Sequence, residues 1–309
     1  MSAVTSATLT TGDEGPLQKK AKNVSVDTGF DLTFDILQPL RILVDVLQNI
    51  LQRVEIKVVK KEGFEGIHIE CIDSKHVCLI VARLHANVKS CSDESTFCVD
   101  TATLNTCLKA VQSHFSLTMK STSESADIQM CAYESISNNY FTTFKLPTLV
   151  HDAGAVKLTD LDYEYTIEID LNTLRNIVKN TLALKGNEIN LTIEVPNEVV
   201  PYNYTVFTIT TDGAATQKHQ FHSVTENQPG STCVIRTEEG GVDIPEVNNF
   251  QKKYNGNFSA SYLMSFLKSM ERQVISMRLS ENKPLILNYP LGTESSYICF
   301  VLATKADDN

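Results

Sequence analysis

The sequence says the same thing twice. Leu-Arg-Ile-Leu-Val at 40–44 is answered by Leu-Arg-Asn-Ile-Val at 174–178, and a Leu-x-x-x-Leu-Lys pattern at Leu104, Leu108 and Lys109 returns at Leu263, Leu267 and Lys268. The first pair falls on the opening helix of each half and the second pair on the later helix. An internal duplication accounts for both, and 309 residues suffice for two domains with a core each.

Hydrophobic periodicity places the elements. After a strand FDLTF, a helix from Pro39 to Arg53 begins with proline in its first turn. It carries Leu40, Leu43, Val44, Leu47, Ile50 and Leu51 on one face and Arg41, Asp45, Gln48 and Gln52 on the other. Strands are expected at 54–60, 66–72 and 77–84 and again ending near Val99. A helix over Thr101–Ser113 and two or three strands reaching Leu146 complete the first unit.

Residues 147–164 carry Pro, Gly and several acids without a period and read as a connector. The pattern then restarts with the strand YEYTIEI and a helix from Asp170, placed as N-cap, to Lys185, with Gly186 as its stop. Strands at 188–195, 204–211, 217–224 and 232–237, an acidic loop at 238–249 and a strand near 250–258 follow. A helix over Ser259–Arg272 shows Leu263, Phe266, Leu267 and Met270 on one face, before strands at 274–279, 284–289 and 297–303. The fold class is therefore α+β with two duplicated domains, 29–146 and 165–305. Residues 1–28 read as a disordered tail and 306–309 as an acidic one.

No run of about 18 apolar residues exists, so no membrane partner is expected. The N-terminus lacks the apolar core of a secretory signal, and the eight cysteines show no C-x-x-C pair; both readings imply a reduced, intracellular setting and no metal. A net charge of −10 excludes a generally basic nucleic-acid binder. The four helix segments nevertheless hold a net excess of five positive charges, amid Asn, Gln, Ser and Thr. One helix alone would show merely a solvated face, but four with the same bias in an acidic chain indicate segregated charge.

Two blocks carry a family resemblance: SENKPLILNY at 280–289, followed by an aromatic-rich strand and LATK at 302–305, and GIHIECIDSKHVCLIVARL at 66–84. Their order and separation resemble the sliding clamps of the PCNA (proliferating cell nuclear antigen) family over about residues 29–305. The resemblance implies a DNA-clamp fold, with antiparallel sheets outside and two helices per domain inside, closing into a ring on oligomerisation. It further implies a homotrimer that encircles double-stranded DNA without sequence preference. Such a ring serves as a processivity factor for a DNA polymerase, is placed by a clamp loader and tethers other proteins bearing a clamp-binding peptide. The setting would be the nucleus, or a viral replication site, with no cofactor.

On that resemblance Arg41, Arg53, Lys109, Arg175, Lys179, Lys185, Lys268 and Arg272 face DNA in the pore. Ile72, His76, Val77, Leu158, Pro284, Val301, Leu302, Ala303 and Lys305 form a pocket for a peptide with a glutamine, an aliphatic plug and two aromatics. Open sheet edges predict a subunit interface in which Ile128, Met130 and Tyr133 of one subunit meet His219 and Phe221 of the next. The chain departs from the family in having Thr304 where proline is usual, and no lysine near Val195 and Pro196 where a ubiquitin-accepting one stands.

Enzyme readings find no support. No phosphate-binding or nucleophile-elbow motif stands at a strand-to-helix junction. His219 and His222 lie three apart on a strand and point to opposite faces. Alternatives to a homotrimeric clamp are a subunit of a hetero-oligomeric checkpoint clamp, a viral processivity factor that does not close, and an acidic scaffold with no DNA role.

Overall fold

Among the described residues each half runs strand, helix, five strands, helix, three strands. The first half comprises β1 (Phe30–Phe34), α1 (Gln38–Gln48), β2 (Arg53–Lys61), β3 (Phe64–Ile72), β4 (Cys78–His85), β5 (Asn87–Cys91), β6 (Thr96–Asp100), α2 (Thr101–Lys109), β7 (Ser116–Ser121), β8 (Asp127–Tyr133) and β9 (Phe141–Pro147). The second comprises β10 (Tyr165–Asp170), α3 (Leu171–Ala183), β11 (Glu188–Pro196), β12 (Val206–Thr211), β13 (Gln217–His222), β14 (Cys233–Thr237), β15 (Phe250–Ser259), α4 (Ala260–Leu267), β16 (Val274–Leu279), β17 (Leu285–Pro290) and β18 (Tyr297–Leu302). The structure, a computed structural model, describes residues 29–91, 95–121, 127–134, 141–150, 162–196, 205–222, 233–237, 250–271, 274–292 and 295–305. The expected tails at 1–28 and 306–309, most of the expected connector and the acidic loop at 238–249 lie outside the described residues.

The sheets repeat as the elements do. The first half builds a five-stranded sheet, β5-β1-β7-β8-β9, and a four-stranded set, β4-β3-β2-β6; the second half builds β14-β10-β16-β17-β18 and β13-β12-β11-β15. Strand β18 pairs antiparallel with β4, from Tyr297 opposite Arg83 to Leu302 opposite Cys78, which fuses two of these sets into one nine-stranded sheet spanning both halves. Strands β9 and β13, which hold the equivalent positions in the repeat, are open edges among the described residues.

This corrects one expectation from the sequence. Strand β8, with Ile128, Met130 and Tyr133, is hydrogen-bonded to β7 on one side and β9 on the other, and Ile128 and Met130 are fully buried. It has no free edge to offer a neighbour. The edge is β9, the next strand, because a third strand rather than a second closes the first half.

Helix α1 forms because its apolar stripe has somewhere to go. Leu40, Leu43, Val44 and Leu47 are essentially inaccessible in the main core, each burial contributing about 1.5–3 kcal/mol. The helix ends at Gln48, earlier than expected, because Ile50 and Leu51 turn their amides back to the Leu47 carbonyl, and Arg53 then opens β2. Helix α3 keeps its expected cap, Asp170 accepting from the Thr173 amide at 2.7 Å. At its far end Lys185, not Gly186, adopts the left-handed conformation (φ 60°). Gly186 is required for a different reason, since a Cβ there would meet the Asp212 carbonyl oxygen at 2.3 Å. Helix α4 is short, ending at Leu267, and is pinned by Phe266 stacked on Phe300 of β18 with centroids 4.2 Å apart.

Candidate functional site

The helices pair within each half, α1 with α2 and α3 with α4. The pairs join across the halves where Ser269 donates to Asp45 and Gln38 Nε2 donates to Glu271 at 3.0 Å. Their outward faces are Asn, Gln, Ser and Thr with cations set among them, as on Asn172, Asn176, Lys179 and Asn180 of α3, all exposed. Such a surface offers hydrogen bonds and a few positive charges without a deep grip, which suits water-mediated, sequence-blind phosphate contact.

The expected DNA-facing cations divide into two kinds. Arg175 is occupied: its guanidinium donates to the Leu267 carbonyl at 2.9 and 3.1 Å, to the Met270 carbonyl, and to Asn172 Oδ1 at 3.0 Å, and so caps carbonyls at and just beyond the end of α4. Arg41, its counterpart in the repeat, donates to the Val111 carbonyl just beyond α2 at 3.3 Å. The repeated Leu-Arg thus records a helix-capping device used twice. Lys109 is paired with Asp45 at 2.6 Å. Burial works to raise the Asp45 carboxyl, but hydrogen bonds from Lys109, Ser269 and Asn105, with the Lys109 charge, outweigh it and hold it at about 2.

Lys179, Lys185 and Lys268 are exposed and, among the described residues, make no ion pair. Arg53 is exposed too, but on the first residue of β2 rather than on a helix. Arg272 lies outside the described residues.

On the opposite side of the sheet the pocket residues converge in part. Register sets Ile72 opposite Leu79, Leu79 opposite Val301, and Val301 opposite Ile286, one apolar row across β3, β4, β18 and β17. Val77 is half-buried in the β3–β4 turn, where its carbonyl accepts the Ala303 amide at 3.0 Å, and Pro284 directly precedes β17. His76 holds the turn's positive φ of 56° and is exposed, as is Lys305, whose ammonium pairs with Glu188 at 2.6 Å. Leu302 does not line the pocket: it is fully buried in the main core, because strand alternation turns it away from Val301. Leu158 lies outside the described residues.

Two residues that sequence reasoning passed over organise this face. Tyr163, at the end of the connector, packs on Leu79, Val81, Ile286 and Val301 and donates to the Pro284 carbonyl at 2.9 Å. An aromatic inside an acidic linker was the available signal. Asp73 accepts from the amides of Lys75, Val77 and Cys78 at 3.2, 2.8 and 2.7 Å and from the Tyr262 hydroxyl of α4 at 2.6 Å. Burial pushes Asp73 up, but Tyr262 and the three amides prevail and lower it.

Helices on one side of a continuous antiparallel sheet, repeated twice in one chain, define a DNA-clamp fold. Residues 30–155 match the family model for the N-terminal domain of proliferating cell nuclear antigen. The fold is similar to the crystal structure of Proliferating Cellular Nuclear Antigen from Entamoeba histolytica, with a TM-score of 0.70 and 19% identity over 90% of this chain and 100% of that one. No curated protein matches the sequence. Residues 30–155 thus resemble the N-terminal domain of that family, and the fold as a whole is that of a PCNA-like clamp.

Proposed function

We propose that the protein is a DNA sliding clamp: a homotrimeric ring that encircles duplex DNA and serves as a processivity factor, holding a polymerase and other peptide-bearing replication and repair proteins in the nucleus. It acts as a non-enzymatic scaffold and is placed on DNA by a clamp loader.

One observation carries this reading. The last strand of the second half, β18, pairs with the fourth strand of the first half, β4, inside the chain. The equivalent pair in the repeat is β9 with β13, and both are open edges of the same molecule. An unpaired edge is a template for another strand. Joining β9 of one copy to β13 of the next would recreate the nine-stranded sheet at every boundary, so that copies related by one rotation close on themselves. Because both edges belong to one chain, the arrangement favours a homo-oligomer over a checkpoint clamp of different subunits. Phe221 and His219 keep their proposed place at this boundary, on β13.

Light scattering tests it. Adjacent amides on an edge strand alternate between partner and open side, so of Thr143→Pro and Phe144→Pro in β9 one removes an outward N–H. The wild type is expected at three times 34.3 kDa, with one of the two proline variants falling to the monomer mass. A wild-type monomer, or two variants that stay trimeric, would contradict the proposed boundary.

A further inference from the structure

A second feature of the outer sheet face lies away from both the helices and the peptide pocket. Thr96, Lys57, His68, Arg83 and Tyr297 stand directly opposite one another on β6, β2, β3, β4 and β18, forming a single row. Its three central members are a lysine, a histidine and an arginine with no acid among them. Only His68 stands between Lys57 and Arg83, although a chain of net charge −10 has acids in plenty to set between two cations. Among the described residues, none of Lys57, Lys61 and Arg83 lies within ion-pair distance of a carboxylate.

The row from Thr96 to Arg83 floors a groove of about 530 Å³ that Lys61 and Phe64 also line. The Arg83 guanidinium lies over the Phe64 ring, 5.5 Å from its centroid, a cation–π contact at the groove wall. Lys60 contributes little charge to the opening, because its ammonium is held by the Val88 and Lys89 carbonyls at 2.6 and 3.2 Å. Glu70 sits 3.7 Å from His68, and burial, then Arg83, disfavours the imidazolium, so the standing charges are Lys57, Arg83 and Lys61. Among the described residues Glu62 is the one acid in the groove lining.

We propose that this groove is a docking site for an extended acidic polypeptide, whose carboxylates pair with Lys57 and Arg83. Those two residues are two strand spacings apart, about 10 Å, a span between the ~7 Å and ~13 Å that separate same-face side chains two and four residues apart on an extended chain, and the long Lys57 and Arg83 side chains take up the difference. Arg83 offers a bidentate fork to one carboxylate and Lys57 a point charge to the other. Nucleic acid fits less well: the aromatic face that a base would stack on is covered by Arg83. Arg83 lies six residues along the chain from Val77, about 20 Å in a strand, so this groove and the peptide pocket can be filled together.

Fluorescence anisotropy with a short labelled peptide of Glu and Asp spaced by Ser and Gly tests the proposal on the full chain. Arg83→Glu and Lys57→Glu should each weaken binding about tenfold or more, and the milder Arg83→Gln should weaken it in the same direction. Lys252→Glu, exposed on β15 outside the groove, should bind as the wild type does. A labelled single-stranded oligonucleotide should be indifferent to Arg83→Glu. Equal peptide affinity for the wild type and all three groove variants, or an equal loss in Lys252→Glu, would overturn the proposal. An oligonucleotide whose affinity falls more than the peptide's on Arg83→Glu would reassign the groove to nucleic acid.

Discussion

Tyr262 of α4 donates its hydroxyl to Asp73 Oδ2 across 2.6 Å, tying a helix of the second half to the β3–β4 turn of the first. The turn bears Val77 on the outer face, and the helix belongs to the inner layer, so one hydrogen bond joins the candidate peptide pocket to the candidate DNA surface. Asp73 is buried, with four donors converging on it.

Removing that hydroxyl should therefore register in stability and in its pH dependence. Tyr262→Phe is expected to cost about 1.5–3 kcal/mol, the range for a hydrogen bond to a charged group. Because Asp73 is held below its ordinary value, its contribution is fully present above the unfolded carboxylate range, near pH 4, and is lost as pH falls through the folded value. The variant should show a flatter acid limb in thermal unfolding. An unchanged melting temperature and an unchanged acid limb would mean the bond is not formed.

The two kinds of helix cation predict different losses. Arg175→Ala uncovers the carbonyls after α4 and should destabilise by about 1–3 kcal/mol, with Arg175→Lys recovering only part because an ammonium cannot fork between two oxygens. Lys179→Glu with Lys268→Glu should leave the folding stability within about 0.5 kcal/mol of wild type. That pair should instead weaken binding to a short duplex, reducing the slope of log K against log salt by about 0.9 for each phosphate no longer neutralised. Duplex binding untouched by the Lys179 and Lys268 reversals would place DNA elsewhere.

The peptide pocket rests on Val77 and the Ile72–Leu79–Val301–Ile286 row. Burying about 100 Å² of an aliphatic plug there contributes ~2.5 kcal/mol, and a carboxylate at Val77 would forfeit it. Titration of a glutamine-aliphatic-aromatic peptide should show at least tenfold weaker binding to Val77→Asp. Equal affinity for the two folded proteins would remove Val77 from the pocket.

The repeat made the architecture legible from residues alone. Leu40, Leu43 and Val44 announce a buried helix face, and Asp170 announces the start of α3, because periodicity and caps are local signals. What Arg41 and Arg175 do was not legible, although their repetition was: a guanidinium on a polar helix face reads as a DNA-binding group until its contacts with carbonyls at the neighbouring helix end are seen. The pairing of Lys109 with Asp45 was not legible for the same reason, since the two residues are 64 positions apart. The edge strand was displaced from β8 to β9 because strand order within a sheet is a long-range property that alternation does not encode. Strand alternation separates Leu302 from Val301, whereas the family likeness of LATK groups the two on one site.

The central claim is that closed rings hold DNA by topology, and retention on circular against linear DNA measures it directly. Protein loaded on a nicked circle should survive a wash at high salt, because leaving requires a β9–β13 boundary to open, and a single restriction cut should release it as the ring slides off the ends. Protein stripped by salt from circles as readily as from linear DNA, or retained after the cut, would mean that no ring closes around the duplex.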